Sequence, residues 1–169
     1  RIGSATAKGW GLALNKPLIS VPTVEALAYN LYDTEGLVCP MLDARRFQVY
    51  TGIYRFKHHK LITVMSQTSE AVVNLAKKLN ALGESITFLG DGVIVYWEML
   101  QKLLKVPFTE APLHLNKQRA GALGVLALRY YEAGEIQTAR EYHPTYLSLS
   151  QAERERIKRE LFEMGAIRV

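Results

Sequence analysis

Apolar positions along the chain fall first into a helical rhythm and later into a two-residue one. From Gly3 or Ser4 to Asn15 the residues suit a helix, closed by Asn15-Lys16-Pro17 because proline pushes the residue before it out of the helical region. Residues 17–21, PLISV, read as a short buried strand. Thr23 is placed to cap a second helix, VEALAYNLY, whose Val24, Leu27, Ala28 and Leu31 share one face before Asp33-Thr34-Glu35-Gly36 breaks it. The rhythm then changes. LVCPMLDA is a continuous apolar run suited to a central strand, despite Pro40, which has no N–H for the ladder. FQVYTGIYRF alternates, with Val49, Thr51 and Ile53 on one face and Tyr50, Gly52 and Tyr54 on the other; KLITVMSQ follows across the turn Lys57-His58-His59.

Beyond this three-strand meander, Thr68 or Ser69 is expected to cap a helix through about Leu82, stopped by Gly83. SITFLGDG reads as a strand running into a turn, then a helix from about Tyr96 to Lys105, a short strand at APLHL and a helix from Lys117 to Ala133, ended by Gly134. A charged helix, SQAERERIKRELFEMG, closes the chain. From residue 37 to about 133 the order is strand, strand, strand, helix, strand, helix, strand, helix, the order of a ribonuclease-H-like α/β domain. The opening helix-strand-helix reads as the tail of an earlier copy. The expected fold class is therefore α/β with two ribonuclease-H-like halves, the first incomplete in this chain. Residues 1–36 form its remainder, residues 37–145 the second half and residues 146–169 a helical tail.

Composition narrows the classes without choosing among them. The 169 residues suffice for a sizeable core, and no apolar run approaches the roughly 18 residues of a membrane span. The only cysteine, Cys39, lies in an apolar run and reads as a small buried hydrophobe, so no disulfide framework or cysteine-built metal cluster can form within the chain. A formal charge of +5 is compatible with a polyanionic partner such as RNA without demanding one; the basic residues are dispersed, which favours a solvated mixed surface.

RIGSATAKGWGLALNKPLISVPTVEALA, VCPMLDARRFQVYTGIY, FLGDG and PTYLSLSQAER, in this order and spacing, resemble the bacterial TsaB (YeaZ) family over nearly the whole chain. The resemblance implies two ribonuclease-H-like halves of the actin-like ATPase type, and a segment ahead of Arg1 bearing a first strand and a glycine-rich turn. It implies a cytoplasmic role in forming threonylcarbamoyladenosine at position 37 of tRNA. In that role the chain would be a non-catalytic partner of the catalytic subunit TsaD, joined by the ATPase TsaE, with tRNA reached through the complex. No cofactor is expected on this chain itself, although a nucleotide at the complex interface is compatible with the resemblance. Where the catalytic relative carries a metal-binding His-x-x-x-His, this chain has Thr23 and Leu27, neither of which ligates iron or zinc. Where that relative has a glycine-rich phosphate turn, this chain has Asp43-Ala44-Arg45-Arg46, read as a structural ion pair or a partner contact. Gly90-Asp91-Gly92 reads as a strand-end turn or a nucleotide-approach turn. Many family members have arginine at the position of Ser148.

Gly3, Ala7 and Gly11 recur every fourth residue, leaving one stripe of the opening helix nearly bare, with Trp10 and Leu14 flanking it. Such a stripe serves either tight packing on the chain's own sheet or association with a partner. The resemblance favours the second, giving Ala7, Trp10, Gly11, Leu14, Leu27 and Leu31 as a surface for self-pairing and for pairing with TsaD. The competing enzyme reading is a metal-dependent ribonuclease-H-like nuclease using Asp43, Glu70 and Asp91, against which Arg45 and Arg46 would crowd two metals with positive charge. A protease reading has no support: no H-E-x-x-H occurs and the four histidines read as surface or loop residues.

Overall fold

The computed structural model describes residues 2–148 and Arg156. In chain order the elements are α1 (Ile2–Ala13), α2 (Thr23–Ala28) with a 3-10 turn (Tyr29–Leu31), β1 (Leu37–Asp43), β2 (Gln48–Lys57), β3 (Lys60–Ala71), α3 (Val72–Leu82), β4 (Ile86–Leu89), α4 (Asp91–Leu103), β5 (Phe108–Glu110), a 3-10 turn (Leu113–Leu115) and α5 (Ala120–Glu132). One five-stranded sheet runs in the order β3-β2-β1-β4-β5, with β1–β2–β3 an antiparallel meander and β4 and β5 parallel to β1. This is the ribonuclease-H-like arrangement expected from the order of elements.

Alternation along β1 and β2 feeds two separate cores, because both faces of the sheet are covered. Leu37, Cys39, Met41, Val49 and Ile53 point to the layer of α3 and α4, where Val72, Leu75, Leu79, Val93, Tyr96 and Leu100 meet them. Val38, Tyr54 and Leu89 point the other way, against Val24, Leu27, Ala28 and Leu31, and the α2–α5 contact is sealed by Ala26, Tyr29 and Leu126. Pro40 is accommodated in the central strand by a local break. The β1–β2 ladder runs from Leu37↔Arg55 to Val38↔Tyr54 and resumes at Met41↔Thr51, skipping Cys39 and Pro40. The buried Thr51 hydroxyl donates to the Pro40 carbonyl at 2.8 Å, satisfying a hydroxyl that would be costly to bury alone. On the other side of β2 the pairing slips twice, between Thr51 and Ile53 and between Ile53 and Tyr54, because the edge strand β3 carries an extra residue at each place.

Several boundaries differ from the sequence expectation. PLISV does not form a strand; Leu18 makes one isolated bridge to Gln137, with Leu18 N–H donating to the Gln137 carbonyl at 2.8 Å. Thr23 is the first helical residue, with Pro22 at the cap and no side-chain capping bond. Thr68 and Ser69 continue β3, and α3 starts after Ala71. The helix expected from Tyr96 begins at Asp91, so Gly90-Asp91-Gly92 is its start rather than a free turn. APLHL is a 3-10 turn, and the fifth strand is Phe108–Glu110. The expected C-terminal helix and the 146–169 tail lie outside the described residues beyond Ser148, apart from Arg156.

Candidate functional site

The carboxyl ends of β1 and β4, neighbours at the centre of the sheet, bring Asp43 and Asp91 together. Gly90, at φ 106°, turns the chain from β4 into α4 so close to β1 that a Cβ there would lie 2.3 Å from the Met41 carbonyl oxygen; one on Gly92 would lie 3.0 Å from it. That close approach puts Asp91 beside the end of β1, where its Oδ1 accepts the Asp43 N–H at 3.1 Å. Asp43 Oδ1 in turn accepts the Arg45 N–H at 2.8 Å and the Tyr96 hydroxyl at 2.9 Å. Burial and the Asp43 carboxylate push the Tyr96 phenol above its ordinary pKa, since both penalise the phenolate. The expected Asp43–arginine ion pair is not formed: Asp43 binds the Arg45 backbone, and its other side-chain partner is a tyrosine.

Between β1 and β2, Arg45, Arg46 and Phe47 take φ values of 64°, 53° and 59° in succession. Left-handed backbone is uncommon for such residues and strained for a bulky one. The turn is held by Ala44 N–H to Gln48 O, Gln48 N–H to Arg45 O, and Val72 N–H to Phe47 O, each 3.0 Å. With the Ala44, Arg45 and Gln48 N–H groups spent internally and a carboxylate beneath, the turn is not built as a phosphate cradle. No sequence signal marked this strain, because Arg-Arg-Phe has no propensity for left-handed backbone.

Glu70, the third member of the nuclease set, is committed elsewhere. Its carboxylate pairs with Lys78, whose hydrogen bond holds Glu70 below the usual carboxylate range. Among the described residues, no three His, Cys, Asp or Glu side chains gather into a metal-holding group, so Asp43, Glu70 and Asp91 do not form the centre that the competing nuclease reading needs. Thr23 stands exposed at the start of α2 and Leu27 lies in the core, and neither side chain fits a resident iron or zinc. Cys39 is fully buried, and burial pushes its thiol up to about 12.

The α1 residues divide by face. Gly11 is buried and faces its own chain: a Cβ there would lie 3.1 Å from Ala139 Cβ and 3.2 Å from the Lys16 carbonyl oxygen. Lys8 Nζ donates to the Tyr142 carbonyl at 2.9 Å, so this side of α1 rests on the segment after α5. The face beside it is open. Trp10 is 68% exposed, Leu14 is 66% exposed, and nothing lies within 4 Å of a Cβ at Gly3. At about 100° per residue Trp10, Gly3 and Leu14 lie within about 40° of one another, and the buried Gly11 lies about 60° beyond Leu14 with the half-buried Ala7 between them. Leu27 and Leu31 are buried in the chain's own core and offer no surface to a partner in this structure. A cleft of about 510 Å³ separates the start of α1 from the sheet, lined by hydroxyl groups including those of Ser4, Thr23, Tyr50, Tyr142 and Ser148. The Tyr50 hydroxyl and Ser148 Oγ lie 2.7 Å apart across it.

Residues 1–156 match the profile of a family described as "TsaD: tRNA N6-adenosine threonylcarbamoyltransferase". The chain is 30% identical over 156 residues to the tRNA threonylcarbamoyladenosine biosynthesis protein TsaB of Bacillus subtilis, covering 90% of this chain and spanning 65% of that protein's length. Solved structures that share its fold include two from Pseudomonas aeruginosa. YeaZ from Pseudomonas aeruginosa superposes with a TM-score of 0.68 at 22% identity, over 86% of this chain and 67% of that one. A crystal structure described as an uncharacterized protein with similarity to peptidase YEAZ, also from Pseudomonas aeruginosa, superposes with a TM-score of 0.69 at 23% identity, over 88% and 67% of the two chains.

Proposed function

Because the chain belongs to the TsaD family of tRNA N6-adenosine threonylcarbamoyltransferases, on its TsaB (YeaZ) branch, we propose that it serves threonylcarbamoyladenosine formation in tRNA as a non-catalytic partner subunit. On this reading it pairs with TsaD in the cytoplasm, and TsaE joins the pair. tRNA is reached through the assembly, and any nucleotide sits at the interface of the complex. The observation that carries the reading is the open face of α1 and its C-terminal end, where Trp10 and Leu14 stand exposed beside Gly3, which has nothing within 4 Å of a Cβ. An exposed tryptophan and leucine beside an uncovered glycine have the composition of an interface anchor, against which a second helix can pack. The same face suits self-pairing when TsaD is absent. The non-catalytic role is supported by Thr23 and Leu27, which supply no imidazole where the resemblance places the metal-holding pair.

Light scattering after size-exclusion chromatography tests this directly. The chain and its own organism's TsaD should co-elute as a pair. Trp10→Ala combined with Leu14→Asp should weaken the pairing at least about tenfold, as truncating an interface anchor commonly does, with the melting curve unchanged because both side chains are exposed. Wild-type pairing that survives this double change would remove α1 as the contact surface. No pairing at all would sink the partner-subunit reading.

A further inference from the structure

We propose that the strained β1–β2 turn is a direct RNA contact, with Arg45 and Arg46 binding backbone phosphates and Phe47 stacking on an unpaired base. This inference rests on the tRNA-modification reading above but assigns the contact to this chain itself. Three consecutive left-handed non-glycine residues are an unfavourable way to close a hairpin that glycine or asparagine would close without strain. The fold nevertheless holds them in place from below. Asp43 fixes the Arg45 N–H, Asp91 fixes Asp43, Tyr96 braces Asp43, and Val72 N–H fixes the Phe47 carbonyl. What the turn gains is presentation. All three side chains are exposed, and Phe47, 66% exposed, has its ring centroid 6.3 Å from that of Tyr96 rather than in the core.

The charges are correspondingly available. Among the described residues neither the Arg45 nor the Arg46 guanidinium has an ion-pair partner, and the two nearby carboxylates are engaged with backbone N–H groups beneath the turn. Two free guanidiniums beside one exposed aromatic ring match single-stranded RNA, whose phosphates take arginine and whose unstacked bases take aromatic faces. An acidic protein surface would use the arginines but leave the phenylalanine without a purpose of the same kind.

The test uses the chain paired with its TsaD and a fluorescent, unmodified tRNA transcript, titrated at several salt concentrations. Arg45→Ala/Arg46→Ala should lower affinity by about tenfold or more and flatten the slope of log K against log salt by about 1.4 to 1.8, the loss of two phosphate contacts. Phe47→Asn supplies the independent readout. Asparagine tolerates left-handed backbone, so this variant should melt no lower than wild type, or higher, while binding tRNA more weakly. A lower melting point with unchanged affinity would make Phe47 structural and overturn the proposal. So would an unchanged salt slope in the arginine variant, or loss of TsaD pairing with tRNA affinity intact, which would assign the turn to a protein interface. Failure of the wild-type chain to pair with TsaD would instead count against the partner-subunit reading.

Discussion

Gly90 shows how one residue can set the geometry of a site. Its φ of 106° lies where side chains other than glycine are strained, and a methyl group there would meet the Met41 carbonyl at 2.3 Å. Gly90→Ala should therefore destabilise the fold by about 3 kcal/mol or more in denaturant titrations, since neither backbone can yield without parting β1 from α4. Asp43→Ala should cost about 2 kcal/mol, leaving the Arg45 N–H and the Tyr96 hydroxyl without their acceptor. Tyr96→Phe should cost less, about 1 kcal/mol, because a single neutral donor is lost. The residues of this site were legible in the sequence as Asp43, Gly90, Asp91 and Gly92, since carboxylates and glycines at strand ends are conspicuous. Tyr96 was not, because its apolar spacing marks it as core, and its hydroxyl matters only once α4 is known to start at Asp91.

At the scale of elements, two carboxylates tie secondary structures together with opposite pH signatures. Glu70 joins β3 to α3 through Lys78, and its pKa in the fold is depressed. A depressed acid contributes stability above its unfolded pKa and loses it as pH falls through the folded value. The stability gap between wild type and Lys78→Met should accordingly be present at neutral pH and shrink below about pH 4. Glu25 joins α2 to α5 by accepting the Tyr130 hydroxyl at 2.7 Å, but burial, with Glu135 adding to it, raises its pKa above the ordinary 4.5. Here the fold holds the proton more tightly than the unfolded chain, so stability falls as pH rises from 4.5 through the folded value. Glu25→Gln should gain on wild type across that window, as followed by urea midpoints at successive pH values. Element identities in the meander were readable because β1, covered on both faces, is a continuous apolar run and β2 alternates apolar and polar positions. Boundaries were not, wherever a residue favoured in one role filled another. Thr68 and Ser69 look like caps but extend β3, and the Gly-Asp-Gly that reads as a turn opens a helix.

For the whole molecule, the sheet separates two cores, and Cys39 lies in the larger of them with its thiol pushed up to about 12 by burial. A thiol both buried and protonated reacts only when the molecule opens around it. Labelling of Cys39 by a thiol reagent near pH 8 should thus proceed at the rate of global unfolding and accelerate in step with denaturant. Labelling at a rate independent of denaturant would mean that the sheet centre opens locally, with the ladder break at Cys39 and Pro40 as the place to look. The overall arrangement followed from the order of strands and helices. The division of α1 into an inward Gly11 side and an open Trp10–Leu14 side did not, because a small-residue stripe does not say which of its neighbours it approaches.

The two slips in register along β3 bear on how this protein survives at high concentration. Its 12-residue outer strand presents Ile62 and Val64 to solvent at the rim of the sheet, the composition from which cross-β aggregates are seeded. An incoming strand needs a straight row of alternating donors and acceptors, and the extra residues that interrupt β3 bend that row and throw it out of phase. Deleting one of them would regularise the hairpin while making the rim adhesive, so a local improvement in pairing would be repaid in lost solubility.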